Sequence, residues 1–223
     1  MSDACCAAEK RFDGASPRYR RALFAVIAIN AVMCFVEFGA GIHAQSQALQ
    51  ADALDFLADT LTYSLSLYVI GSGATLRASA AMGKALLLLL TGAWVLGSTG
   101  YRAFSGAAPD AQVMGMIGTL ALVANLASVA LLLRYRDGDA NVRSVWLCSR
   151  NDAIGNVAVL CAAAGVWGTS TLWPDLLVAA GMASLFVAGA VSIFRQALRE
   201  LLHAREQTMV APAAATAHAA RHD

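Results

Sequence analysis

Two apolar segments of the sequence carry aspartate and cysteine residues at helical spacing. Asp55 and Asp59 are four residues apart in the segment QADALDFLADT, and Cys148 and Asp152 repeat that spacing in WLCSRNDAIGN. Residues four apart lie on one face of an α-helix, one turn from each other. If the two faces meet, three carboxylates and one thiolate form a four-ligand set that suits Zn²⁺ or a closely related metal.

The same side chains can bind protons. Carboxylate and thiolate ligands hold a metal only when they are deprotonated, so metal and protons compete for them, and this competition is the physical basis for exchanging one for the other. A single membrane aspartate can instead be a protonated residue bonded across a helix interface, and a lone cysteine often only fills space. Two pairs at the same spacing, with Asp52 one turn before Asp55, favour a functional site.

Further polar residues are predicted to support this site or to couple protons to it. Asn30 and Glu37 are seven residues apart, on one face of the first apolar stretch. Glu37 is a candidate to support the ligands or to carry a proton, and its alternative role is that of a neutral carboxylic acid bridging helices. Asp52 and Asn151 are placed in the same supporting group. Asn125, in the fourth apolar stretch, is predicted to bond between helices rather than to bind metal.

The elements that must position these residues are transmembrane helices. The chain has 223 residues, of which 58% are hydrophobic and 14% charged, and its mean hydropathy is +0.58. This is too little polar surface for a soluble globule. A formal net charge of +1 leaves no excess of Lys and Arg for nucleic acid, which is therefore excluded as a partner.

Six stretches reach the length of about 20 residues that a bilayer crossing needs. They are 22–42, 48–72, 85–103, 112–133, 145–167 and 175–196.

The predicted fold class is therefore an all-α polytopic membrane protein with six transmembrane helices. Lys and Arg cluster before the first helix and after the second, fourth and sixth, which predicts that both termini are cytoplasmic. The predicted divisions are a cytoplasmic tail at 1–21, a transport domain at 22–199 and a disordered, alanine-rich tail at 200–223. A carboxylate at the centre of a membrane helix costs about 2.5 to 3.5 kcal/mol, so the aspartates inside these helices are expected to be functional.

The residues of these motifs resemble the cation diffusion facilitator family. The stretch SQALQADALDFLADTLTYSLS is similar to that family's second helix, with its pattern A-D-x-x-[H/D]-x-x-x-D, and Asp55 and Asp59 fall on its two metal-ligand positions. The stretch WLCSRNDAIGNVAVL is similar to the fifth helix, whose usual pair is His-x-x-x-Asp. Asp152 matches the Asp, and Cys148 stands at the His position. Glu37 also fits the first-helix pattern.

The resemblance implies a cation/proton antiporter that exports Zn²⁺, or Cd²⁺ or Co²⁺, from the cytoplasm by alternating access. It implies a homodimer, with the lipid bilayer, metal ions and protons as partners and no prosthetic group. The sequence shows no transit peptide, which favours a bacterial inner membrane as the location. Cysteine in place of histidine is a softer ligand, which would favour Zn²⁺, Cd²⁺ or Hg²⁺ over Mn²⁺ or Mg²⁺. The chain ends soon after the sixth helix, so a short form without the usual cytoplasmic domain is expected. A dimer is then expected to form through the third and sixth helices, which are rich in small residues.

Three other functions remain open at this point. A proton-coupled exporter of small organic cations could also use an acidic cluster, although it would need a wide aromatic-lined cavity. An intramembrane aspartyl protease needs two aspartates on separate helices in contexts such as Gly-x-Gly-Asp, and the sequence contains no such motif. A metal sensor that transports nothing would use the same ligands.

Overall fold

The computed structural model describes residues 16–68, 74–137 and 140–219, and these residues form helices joined by short turns. The helices are α1 (Pro17–His43), α2 (Gln47–Tyr68), α3 (Ala74–Ser105), α4 (Ala111–Leu132), α5 (Ala140–Thr169) and α6 (Trp173–Ala219), with a short 3₁₀ helix (Leu133–Tyr135) after α4. No strand occurs within these three ranges. The prediction of an all-α fold with six helices is confirmed.

Five of the six helices are long and apolar enough to cross a membrane, within the part of the chain that the structure describes. The exception is α2, which carries Asp52, Asp55 and Asp59 within eight residues. It contacts all five other helices, so its polar face is surrounded by protein rather than by lipid. The chain is a multi-pass membrane protein in which the most polar helix lies at the centre.

The helices around α2 fall into two groups. α1, α4 and α5 pack against α2, and α4 also packs against α1 and α5. α3 and α6 form a closely packed pair that contacts α2, and α6 also packs against α5. Small residues of α2, such as Ala48 and Ala51, meet Met114 of α4, Val159 of α5 and Ala183 of α6 in one core cluster. Close packing of small residues is what holds helices together in a bilayer, where apolar burial gives little driving force.

Two glycines lie where neighbouring helices approach closely. A Cβ on Gly41 of α1 would stand 2.9 Å from Cγ and 3.0 Å from the backbone nitrogen of Gln50 of α2. A Cβ on Gly92 of α3 would stand 2.9 Å from Val187 and 3.1 Å from the Ala183 carbonyl oxygen of α6. Small residues of α3 and α6 therefore serve packing within one chain, and pairing of two chains through these helices stays a prediction.

The turn between α1 and α2 is tight. Gln45 adopts a left-handed conformation with φ of 55°, and the Ser46 backbone N–H donates to the Gly41 carbonyl at 2.9 Å. A bond of this kind satisfies a carbonyl that the end of a helix leaves without a partner. The short connection makes α1 and α2 neighbours for their whole length.

The helix ends differ from those that the sequence predicts. α1 begins at Pro17, five residues before the predicted start, because Ser16 caps it by accepting a hydrogen bond from the Tyr19 N–H at 3.2 Å and proline is favourable in the first turn. α6 continues to Ala219, where the sequence predicts a disordered tail from residue 200. Ala, Glu, Gln and Met have high helix propensity, and a helix already formed extends without a new nucleus.

The orientation in the membrane and the division into three segments stay predictions. Most of the predicted N-terminal tail lies outside the described residues.

Candidate metal centre

A small cavity lies among α1, α2, α4 and α5, at the level of the aspartates. About 130 Å³ of space lies between its side chains, and this space is too narrow to admit a water molecule. Four of its lining residues are carboxylates and two are side-chain amides: Asn30, Asp52, Asp55, Phe56, Asp59, Asn125 and Asp152 line it. The carboxylates come from α2 and α5, the two helices on which the sequence places the ligand pairs.

The structure brings Asp55, Asp59 and Asp152 to this one cavity, as their spacing predicts. Asp59 is buried, and Asp55 and Asp152 are half-buried. The Asp152 carboxyl group lies close to the carboxyl groups of both Asp55 and Asp59 across the α2–α5 interface. One of its oxygens is buried and has no hydrogen-bond partner in the described part of the chain. Three acidic groups with so few partners form a site suited to a cation.

Cys148 lies beside the cavity rather than in its lining. It is half-buried and packs against the apolar cluster that contains Tyr63 and Val145. Asp59 and Tyr63 are its polar neighbours. Cys148 is therefore at the edge of the acidic cluster, on the turn of α5 before Asp152, and its part as a fourth ligand stays a prediction.

The carboxylates are not arranged as a finished metal site. Among the residues that the structure describes, no three His, Cys, Asp or Glu side chains stand in positions that would hold one metal ion together. Binding a metal here would therefore require the side chains of α2 and α5 to draw closer around it. The ligand set Asp55, Asp59, Cys148 and Asp152 stays a prediction.

Asp52 is held by a residue that sequence reasoning missed. The side-chain nitrogen of Asn156, on α5, donates to both carboxylate oxygens of Asp52 at 3.1 and 3.0 Å. The Asn156 oxygen accepts a hydrogen bond from Asn125 of α4 at 3.3 Å, which confirms that Asn125 bonds between helices. Asn156 is fully buried. A signal for it was present, because Asn156 follows Asp152 by four residues and so lies on the same face.

The two predicted supporting residues of α1 lie on the cavity side of that helix. Glu37 is fully buried, and neither of its carboxylate oxygens has a hydrogen-bond partner among residues 16–68, 74–137 and 140–219. The acidic groups near it are Asp52 and Asp55. Asn30 lines the cavity, and its side-chain nitrogen donates to the Val26 carbonyl of its own helix at 2.8 Å.

Asn151 does not lie in the site, so the prediction that it supports the ligands there is wrong. Its side chain is exposed, and its oxygen accepts a hydrogen bond from the Arg150 guanidinium at 3.4 Å. The Arg150 guanidinium also lies over the Trp146 ring, 5.5 Å from its centroid. One residue along a helix is a rotation of about 100°, so the neighbour of Asp152 points away from the cavity.

Two more residues near the site were not predicted. Tyr63 of α2 is fully buried, and its hydroxyl lies 3.3 Å from the Ser149 hydroxyl of α5. Lys84 of α3 is half-buried and interacts electrostatically with Asp55 and Asp59. The sequence placed Lys84 only among the basic residues at the membrane surface, because nothing in a single sequence tells how closely α3 approaches α2.

Comparison with known proteins gives a consistent result. The profile described as the cation efflux transmembrane domain matches residues 23–202, which include all of α2 to α5 and most of α1 and α6. Two curated relatives are the metal cation efflux system protein CzcD of Cupriavidus metallidurans and the cation efflux system protein CzcD of Alcaligenes sp. (strain CT14). Each is 25% identical over 171 residues, in an alignment that covers 71% of this chain and 54% of the relative. The chain thus spans about half the length of the curated relatives it matches. Because the profile matches most of the chain, the chain belongs to the cation efflux family.

Proposed function

We propose that this chain exports divalent metal cations in exchange for protons by alternating access, with Zn²⁺ as the first candidate cargo and Cd²⁺ and Co²⁺ after it. The observation that carries the proposal is the buried cavity lined by four carboxylates from α2 and α5. Acidic groups inside a membrane protein are costly and mark ion pathways. The names of the two CzcD relatives, which refer to efflux of cations, support the same function.

The size of the cavity favours a metal ion over an organic cation. Sites for small molecules usually measure about 300 to 1,000 Å³ and are lined by hydrophobic and aromatic side chains. This cavity is too narrow for a water molecule, and Phe56 is the one aromatic residue among the described residues of its lining. A bare divalent ion is held by a few oxygen or sulfur ligands about 2 Å away, so it does not need the open space that an organic cation needs.

We propose Asp55, Asp59, Cys148 and Asp152 as the ligands of the transported ion. The first two come from one face of α2 and the other two from one face of α5, so a metal between them would draw the two helices together. A thiolate beside three carboxylates would favour Zn²⁺ and Cd²⁺ over Mn²⁺. Cys148 would reach the ion by turning away from the apolar cluster against which it packs.

Glu37 and Asp52 are proposed as the proton-coupling residues. Glu37 is fully buried and lacks a hydrogen-bond partner among the described residues, and a charge in that position is unfavourable unless it is paired. A proton on Glu37 would remove this cost and could be shared with the neighbouring Asp52. The proposed antiporter works in a bacterial inner membrane and as a homodimer.

Reconstituted protein tests the proposal directly. Purified protein in liposomes with a pH-sensitive dye inside is given Zn²⁺, Cd²⁺, Co²⁺ or Mn²⁺ outside, and metal-driven proton movement is recorded. Asp59→Asn is expected to abolish the proton movement, since it removes a charged ligand. Asp137→Asn is the matched control, because Asp137 is highly exposed and pairs with Arg136 on the surface.

Each outcome has a clear meaning. Zn²⁺-driven proton movement in the unaltered protein and in Asp137→Asn, with none in Asp59→Asn, supports antiport through the acidic cavity. Metal binding without proton movement would favour a sensor, and proton movement driven only by organic amines would favour the organic-cation exporter.

A further inference from the structure

One end of α2 is held by a carboxylate from another helix. Asp175, in the first turn of α6, lies at the N-terminus of α2 and is 1% exposed. One carboxylate oxygen accepts hydrogen bonds from the Ser46 hydroxyl at 2.6 Å and from the Ala48 N–H at 3.0 Å. The other oxygen accepts from the Gln47 N–H at 2.8 Å. The acidic side chain thus satisfies backbone groups that the start of a helix leaves unpaired.

Ser46 extends the connection into α2. Its hydroxyl oxygen accepts a hydrogen bond from the Leu49 N–H at 3.0 Å while its hydrogen is donated to Asp175. Three successive N–H groups at the start of α2 are therefore bound directly or through Ser46 to one side chain of α6. Hydrogen bonds to an ionised group are stronger than neutral ones, and these are shielded from water.

The connection between α3 and α4 attaches to the same turn. The Asp110 N–H donates to the Ala44 carbonyl at 3.0 Å, and the Arg102 guanidinium donates to the Gln45 side chain at 3.4 Å. The turn that starts α2 is thus tied to both α3 and α6. Asp175, Ser46 and Ala44 are all buried in this set of bonds.

We infer that Asp175 is a positioning residue for metal transport, which joins the start of α2 to α6 and so fixes where the carboxylates of α2 lie. The inference rests on the proposed metal export. Asp55 is eight residues after Gln47, about 12 Å along the helix axis, so a small tilt of the capped end displaces the carboxylates relative to Asp152 of α5. Without the joint, α2 can still form, because its other neighbours remain in place, but its ligands are less well placed.

The test compares two capping aspartates of the same protein. Asp110 caps α4 by accepting hydrogen bonds from the Gln112 and Val113 N–H groups at 2.9 and 3.1 Å, within its own helix and in an exposed position. Asp110→Ala, which removes the accepting oxygen, therefore loses a cap without loosening α2 from α6. In Asp175→Asn, the amide cannot accept from all three donors, because one oxygen is replaced by a donor group.

Zn²⁺ transport by reconstituted protein is measured as KM and maximal rate for the unaltered protein and both variants. We expect Asp175→Asn to raise the KM for Zn²⁺ roughly tenfold, as misplaced binding groups do, while Asp110→Ala keeps the KM of the unaltered protein. Ser46→Ala, which removes one of the three donors, is expected to fall between them and serves if Asp175→Asn does not fold. Asp175→Glu, which keeps the carboxylate, is expected to restore part of the affinity.

Failure of the inference and failure of the proposed function are distinguishable. An unaltered protein that moves no Zn²⁺ would overturn the proposed function and this inference with it. If the unaltered protein transports Zn²⁺ and both Asp175→Asn and Ser46→Ala have the same KM as the unaltered protein, the inference is overturned while the proposed function stands. Equal rises of KM in Asp110→Ala and Asp175→Asn would also overturn it, since loss of any helix cap would then have the same effect.

Discussion

Asn156 of α5 holds both carboxylate oxygens of Asp52 of α2 with its side-chain nitrogen, at 3.1 and 3.0 Å. The arrangement continues to α4, because Asn125 donates to the Asn156 oxygen at 3.3 Å. Three helices are therefore joined by two amides and one carboxylate in a region where each of these groups is buried. Buried polar groups are favourable only when they are bonded, so this set fixes how α2, α4 and α5 face one another.

The first prediction concerns the free energy that Asn156 contributes. Asn156→Ala leaves the Asp52 carboxylate buried without this partner, which is expected to destabilise the protein by about 1 to 3 kcal/mol or more. Thermal unfolding in detergent should show a clearly lower midpoint. Asn151→Ala is the matched control on the same helix, because Asn151 is exposed, and its midpoint should change little. Equal midpoints for the two variants would show that the Asp52 contact contributes nothing to stability.

The second prediction concerns the closest approach of α1 and α2. A Cβ on Gly41 would meet Gln50 at 2.9 and 3.0 Å, and one of these atoms is backbone nitrogen, so the helices would have to separate. We expect Gly41→Ala to lower stability by about 1 to 3 kcal/mol, as overpacking does. Gly39→Ala is the control, because a Cβ there meets no described heavy atom within 4 Å. Gly39→Ala should be neutral or slightly stabilising, since alanine is the better helix former.

The third prediction concerns the metal preference that Cys148 confers. If its thiolate binds the cargo, Cys148→Ser should weaken transport of Zn²⁺ and Cd²⁺ more than transport of Mn²⁺, because a hydroxyl is a harder ligand. Cys148→His should keep Zn²⁺ transport, since imidazole also binds zinc. Cys161→Ser, on the same helix but exposed, is the control. An unchanged order of metals in Cys148→Ser would identify Cys148 as a packing residue of the neighbouring apolar cluster.

The sequence predicts those features of the fold and the site that depend on local spacing. Long apolar stretches predict the helices, and the four-residue spacing predicts that Asp55 and Asp59 share a face of α2. α2 and α5 each carry a polar face, and neither face can be left in lipid. The sequence therefore also predicts that Asp55 and Asp59 lie near Asp152. Even Asn156 could have been found in this way, from its position four residues after Asp152.

Features that depend on the packing of distant helices are not predictable from one sequence. Asp175 stands at the start of an apolar helix, and nothing in its neighbourhood shows that it binds the turn before α2, almost 130 residues earlier. The approach of Lys84 to the aspartates is of the same kind. Asn151 is a different case: it directly precedes Asp152 in the sequence, but its side chain is exposed, because neighbours on a helix point in different directions.

The last prediction concerns the cost of the acidic cavity in the absence of metal. Four carboxylates line one small space, and like charges this close repel one another unless protons or a cation lie between them. Removing one of them should relieve that repulsion, so Asp59→Asn is expected to raise the unfolding midpoint of the metal-free protein, as changes at functional sites often do.

The same variant should lose the stabilisation that metal gives. A ligand that binds the folded state at 100 times its Kd stabilises it by about 2.7 kcal/mol, so Zn²⁺ is expected to raise the midpoint of the unaltered protein clearly. Asp59→Asn should show little or no rise with Zn²⁺, whereas the surface variant Asp137→Asn should respond as the unaltered protein does. Midpoints are measured with chelator and with Zn²⁺ in the same detergent. The opposite result would be an Asp59→Asn variant that is less stable than the unaltered protein without metal and is still stabilised by Zn²⁺. Asp59 would then be a helix-packing residue, because removal of a ligand that repels its neighbours cannot both lower the stability of the metal-free protein and leave the response to Zn²⁺ intact.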